Sequence, residues 1–196
     1  MAVADDLSIV NEAFVRLGAP PVGSFADQSA QATGVGALYD RVRDDLISEY
    51  PWVFAVREKA LAKLVVPVAD HRLLDYGAIF QLPADTLRVL GLTSYGPFRL
   101  AGDQLYTDSA DAEVVYISRT PASAWPSYFA EALSKELAAA LALTITDSSV
   151  RQQLAIGEAR RAIQRAKALD GQQQPAKVIN LMRFYARRSV NPLSGA

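Results

Sequence analysis

A chain of 196 residues with no cysteine is long enough to bury roughly 70% of its unfolded surface, and it excludes a disulfide framework and any thiolate metal site. Its formal net charge of −1 divides unevenly: residues 172–196 carry four cations and no acid, +4, leaving 16 cations against 21 acids, or −5, for the rest. One histidine, His71, excludes a histidine-rich metal centre. With no apolar run near the roughly 18 residues that span a bilayer and an acidic start, MAVADD, where a signal peptide is basic, the expectation is a soluble cytoplasmic product with no membrane partner.

Leu7, Val10, Phe14 and Leu17 recur at the spacing of a buried helical stripe, and Gly18 followed by Pro20 and Pro21 stops that helix. A second helix is expected over 27–50, with Asp27 as its N-cap, Val35, Leu38, Val42 and Leu46 on one face, and Pro51 ending it. The stretch 58–76 is ambiguous: Leu61, Leu64 and Val65 fit a helix, whereas VVPV favours an extended exit. Short β-branched or aromatic segments from AIFQLP to EVVYISR predict a small antiparallel sheet over 79–119, with a tight hairpin at Gly102 and Asp103.

Helical spacing returns at Pro126, where Phe129, Leu133, Leu137 and Leu141 form a ladder. Ser149 and Gln152 suit a capping box for a fourth helix, whose Ala155, Ala159, Ala162, Ala166 and Leu169 imply close packing before Gly171 ends it. Four apolar stripes are most simply buried against one another. The expected fold is therefore α+β but mainly α: residues 1–57 and 120–171 as a four-helix bundle, 58–119 as a small inserted antiparallel β-sheet, and 172–196 as an extended C-terminal arm. Trp52 and Phe54 stand where the chain leaves the bundle and Trp125 where it returns. They are either structural-junction residues that lock sheet to helices, or ordinary core aromatics.

Catalytic signals are sparse. His71 lies in ADHRLLDY, which has no nucleophile elbow, and TGVGALYD lacks the G-K-[ST] ending of a phosphate loop, so its glycines are read as permitting close helix packing. The pairs Asp5–Asp6 and Asp44–Asp45 point in different directions on a helix and are read as solvated charge. No catalytic residue, metal or cofactor is expected. The arm is different: Lys177, Arg183, Arg187 and Arg188 alternate with Val178, Ile179, Leu181, Met182, Phe184 and Tyr185. So short a piece does not hold a helix alone in water. It either docks on a partner protein, the favoured reading because VINLM is so aliphatic, or binds nucleic acid with cations on phosphates, or folds back on its acidic body.

The series LSIVNEAFVRLGAPPVGSF, ALYDRVRDDLISEYPWVFA and QLPADTLRVLGL, followed by the alanine-rich helices, resembles the head-to-tail adaptor (connector) family of tailed bacteriophages, whose short-tailed members are called tail tubular protein A. The resemblance covers about residues 7 to 170, and PWVFA matches the family's PW-x-FA element. It implies a helical bundle with a β insertion, assembled as a dodecameric ring in the virion neck after synthesis in the host cytoplasm. The arm would bind the portal, the sheet would face downstream tail or stopper proteins, and DNA would cross the lumen without specific binding during genome ejection. The acidic body predicts a lumen that repels DNA. Rival classes are a nucleic-acid-binding helical protein using the basic tail and, third, a carboxylate-dependent hydrolase of cell-wall glycan.

Overall fold

The computed structural model of the chain describes residues 5–25, 30–65, 76–93 and 96–173. Helix α1, Asp6–Leu17, begins at a capping box in which Asp5 accepts the Ser8 N–H at 2.6 Å and Ser8 Oγ accepts the Asp5 N–H. It ends at Gly18, whose φ of 74° is the left-handed conformation that closes a helix onto its last carbonyls. Helix α2 is Ala30–Glu49, and the expected cap at Asp27 lies outside the described residues. Val35, Tyr39, Val42, Leu46 and Ile47 are buried along it, whereas Leu38, expected on that face, is half-buried.

Helices α3, Ser127–Thr146, and α4, Ser149–Gly171, form a hairpin joined by two residues, with Asp147 in the left-handed conformation. Pro126 is the N-cap of α3 and stands outside its first turn. The ladder Phe129, Leu133, Leu137 and Leu141 is buried, together with Ala130, Ala132, Ala138 and Ala142 beside it. The α4 cap is Ser148, one residue before the expected Ser149, and the helix continues through Gly171 to a right-handed Gln172. Ala159, Ala162 and Ala166 are buried, Ala155 is half-buried and Leu169 is exposed.

Among the described residues seven strands lie between the two helix pairs: β1 Val56–Ala60, β2 Ala62–Lys63, β3 Ala78–Gln81, β4 Thr86–Leu92, β5 Phe98–Ala101, β6 Gln104–Thr107 and β7 Glu113–Ser118. They form two antiparallel sheets, one ordered β1-β7-β4 and one ordered β2-β3-β6-β5. Val56 pairs with Ile117 at one end of the first sheet, and β4 is irregular between Thr86 and Arg88 and again between Val89 and Gly91. The β5–β6 hairpin turns at Gly102, φ 61°, and Asp103.

This architecture corrects the expected four-helix bundle with one small inserted sheet. Among the described residues α3 is the hub, packing on α1, α2 and α4, while α2 also meets β4. The first sheet shares the helix core through Ile117 and Leu87, so helices and sheet are sides of one α+β core. A second core, built around Phe80, Leu105, Val114 and Tyr116, lies between the two sheets. The physical cause is the stretch read as ambiguous: β1 and β2 are strands whose side chains are nearly all exposed, so they lack the alternation that marks a half-buried strand.

Candidate functional site

The chain leaves α2 through Pro51 into a tight turn closed by Ala55 and Val56 N–H groups on the Trp52 carbonyl, at 2.9 and 3.0 Å. Trp52 is fully buried, and its indole N–H donates to the Leu46 carbonyl at 2.9 Å. That carbonyl is among the last four of α2, which the helix cannot satisfy from within. One tryptophan thus fills the core with its ring and caps a helix end with its polar edge.

Phe129, in the first turn of α3, gathers the other aromatics. Its ring meets Trp52 at 5.1 Å, Phe54 at 4.8 Å and Trp125 at 5.3 Å, each edge to face, the arrangement ring quadrupoles favour. Tyr50 adds a fifth ring against Trp52 at 5.0 Å. The three aromatics singled out from sequence are therefore brought together around a fourth. Trp125 is also buried, but its N–H closes on Thr120, 3.1 Å from the carbonyl and 3.2 Å from the hydroxyl.

Asp170, in the last turn of α4, is 1% exposed. One carboxylate oxygen accepts the Val53 N–H at 3.0 Å, inside the PWVF turn, and the other accepts the Tyr128 hydroxyl at 2.7 Å. Burial above all, then the hydrogen bond and charge of Asp170, push the Tyr128 hydroxyl far above the ordinary phenol range. Nearby, Lys167 pairs with Glu49 at 2.7 Å and lies 5.7 Å from the Tyr50 ring centre. The end of α4 is thereby fastened to the end of α2, and residues 174–196 continue from that point.

On the return path Ser118 donates to the Ala55 carbonyl through its N–H at 2.9 Å and its hydroxyl at 3.1 Å. Arg119 then grips Asp44 of α2, with Nη2 2.6 Å and Nε 3.0 Å from Oδ2, while Arg43 Nε holds Oδ1 at 2.9 Å. Asp44 is thus the centre of an ion-pair set, where solvated charge was expected. Asp5 caps α1 and Asp6 accepts the Tyr39 hydroxyl at 2.6 Å, so that pair too has structural work. Gly34 and Gly36 lie within α2 with no described atom within 4 Å of an added Cβ.

The ten arm residues from Lys177 to Arg188 lie outside the described residues, as does His71. Among the described residues no three His, Asp or Glu side chains are grouped to hold a metal ion, and no helix is long and apolar enough to cross a membrane. Sequence reasoning missed Asp170, Tyr128 and Arg119. Asp170 does leave a trace: an acid in a helix's last turn opposes the macrodipole and calls for a local partner. Comparison with protein-family models and with curated proteins finds no match for the chain.

Proposed function

We propose that the chain is a non-catalytic head-to-tail adaptor of a tailed phage or phage-like particle: one subunit of a dodecameric ring in the virion neck that joins portal to tail and lets DNA pass through its lumen. The resemblance carried by LSIVNEAFVRLG, YPWVFA and QLPADTLRVLGL supports this reading. The single observation that carries it furthest is the hydrogen bond that Asp170 accepts from the Val53 N–H, because it fixes the helix leading into the arm against the crossing between helices and sheets. A closed ring needs a constant angle in every subunit, since errors accumulate around the circle. A buried carboxylate between a helix end and a turn holds such an angle.

In this reading the arm, with Phe184 and Tyr185 as anchors and its four cations on acidic partners, docks on the portal. The −5 body leaves DNA unbound in the lumen. The test is mass measurement of the full chain alone and with portal, repeated after deleting residues 172–196. A large complex with portal that the deletion abolishes, while the body stays folded, supports the proposal. Attachment unchanged by the deletion overturns the role of the arm. Salt-sensitive binding of short DNA lost with the same deletion favours the nucleic-acid reading instead.

A further inference from the structure

Two adjoining grooves, of 530 and 410 Å³, run between α1 and α4 above α3 and share Arg16, Lys135 and Glu158. Alanines 138, 155, 162 and 166 line the bottom. The rim is apolar and open, with Val15 66% and Leu154 62% exposed. The lining charges are Arg16, Lys135, Arg151, Arg161 and Arg165 against Glu131 and Glu158, five minus two, or +3. A groove that is both apolar and cationic fits a surface that is apolar and acidic.

The chain itself carries such a surface. At the other end of α1, Phe25 is 38% exposed beside a 250 Å³ hollow lined by Asp6, Gly36, Tyr39 and Asp40, with Asp5 at the helix cap and Arg43 the cation at hand. The groove opens at Val15–Gly18 and the acidic hollow at Asp6, separated by most of a helix about 18 Å long at 1.5 Å per residue. One copy does not fill its own groove across that span. The arm is a poor occupant because it is itself +4. Nucleic acid is disfavoured by the two glutamates and the apolar rim.

We propose that the acidic Phe25 surface of one copy docks in the α1–α3–α4 groove of the next. The contact is head-to-tail, so it propagates and closes as a ring if the rotation permits. It rests on the ring reading above and assigns that ring its two faces.

The absence of cysteine makes the test clean. Gly36→Cys places a thiol in open space beside the hollow, and Val150→Cys places one at an exposed position a turn from Leu154. With a short bismaleimide, the full chain carrying both thiols gives a ladder of covalent oligomers, and a mixture of the two single variants gives only their mixed dimer. Adding R161E and R165E, both at exposed positions, abolishes the ladder while circular dichroism stays unchanged. The proposal is overturned by no ladder, by a ladder indifferent to the charge reversal, or by Val150→Cys alone forming the dominant dimer, which means a groove-to-groove contact. A DNA shift lost in R161E/R165E without a ladder assigns the groove to nucleic acid and also overturns it. If a ring-sized complex with portal persists while the ladder fails, these faces are wrong and the ring stands. If both fail, the ring reading falls with them.

Discussion

Trp52 and Trp125 mark the two places where the chain passes between helices and sheets, and they are held differently. Trp52 binds a carbonyl of the helix it has just left, packs edge-on against Phe129 of α3, and sits beside a turn whose Val53 N–H donates to Asp170 of α4. Three helices thus meet at the outgoing crossing. Trp125 also touches Phe129, but its polar edge closes within its own loop at Thr120, and the return is tied to α2 by an ion pair half open to solvent. Both crossings therefore couple elements far apart in sequence, but the outgoing one does so through a buried carboxylate and the return through Ser118 on the Ala55 carbonyl and an Arg119–Asp44 pair partly open to solvent. Equal aromatic content does not mean equal mechanical weight.

That contrast can be broken most directly at the tryptophans. Trp52→Ala should cost about 3 to 5 kcal/mol in chemical denaturation, and Trp125→Ala should cost less; the reverse order would dissolve the distinction. Asp170→Ala leaves the Val53 N–H and the Tyr128 hydroxyl without their acceptor and should cost about 1 to 3 kcal/mol. If the proposed portal attachment exists, its loss at a temperature where the variant remains folded would further tie that carboxylate to the pose of the arm. Arg119→Ala, at an exposed ion pair, should cost under about 1 kcal/mol and less still in high salt. A larger loss would mean that the return crossing is as tightly coupled as the outgoing one.

The smallest effect is a matter of pH. The Tyr128 proton is held more tightly folded than unfolded, where a phenol titrates near 10. Below that pH both states keep the proton and the contribution is whole. Above it the unfolded chain releases its proton first, so stability falls as pH rises. Tyr128→Phe should flatten that alkaline decline, and an unchanged slope would remove Tyr128 as a source of it.

What was legible in the sequence follows from what is local. Gly18 stops α1 because only the residue itself must turn left-handed, and Gly102 turns the β5–β6 hairpin for the same reason. The α3 ladder reads directly because all four rungs are apolar and a turn apart. The mutual arrangement of the helices is not local. That α3 is, among the described residues, the surrounded helix shows only faintly, in the alanines that fill its gaps, and α4, whose buried stripe is alanine, leans on α3 without making a fourth equal wall. β1 escaped because VREKA presents charge on both faces. At the site, the aromatics announced themselves by size, whereas Asp170 and Tyr128 meet across 42 residues and no spacing rule joins them.

The pairing of Val56 with Ile117 also sets a timetable. During synthesis at about 5 to 20 residues per second, β1 waits several seconds for β7, its backbone groups open to any passing chain. Arg57, Glu58 and Lys59 make that wait safer, since charged strands resist adventitious pairing. Ribosome-bound chains stalled short of residue 113 should be cut by protease within Val56–Ala60, and longer ones spared. Neutralising those three charges should lower the soluble yield without lowering the stability of what does fold.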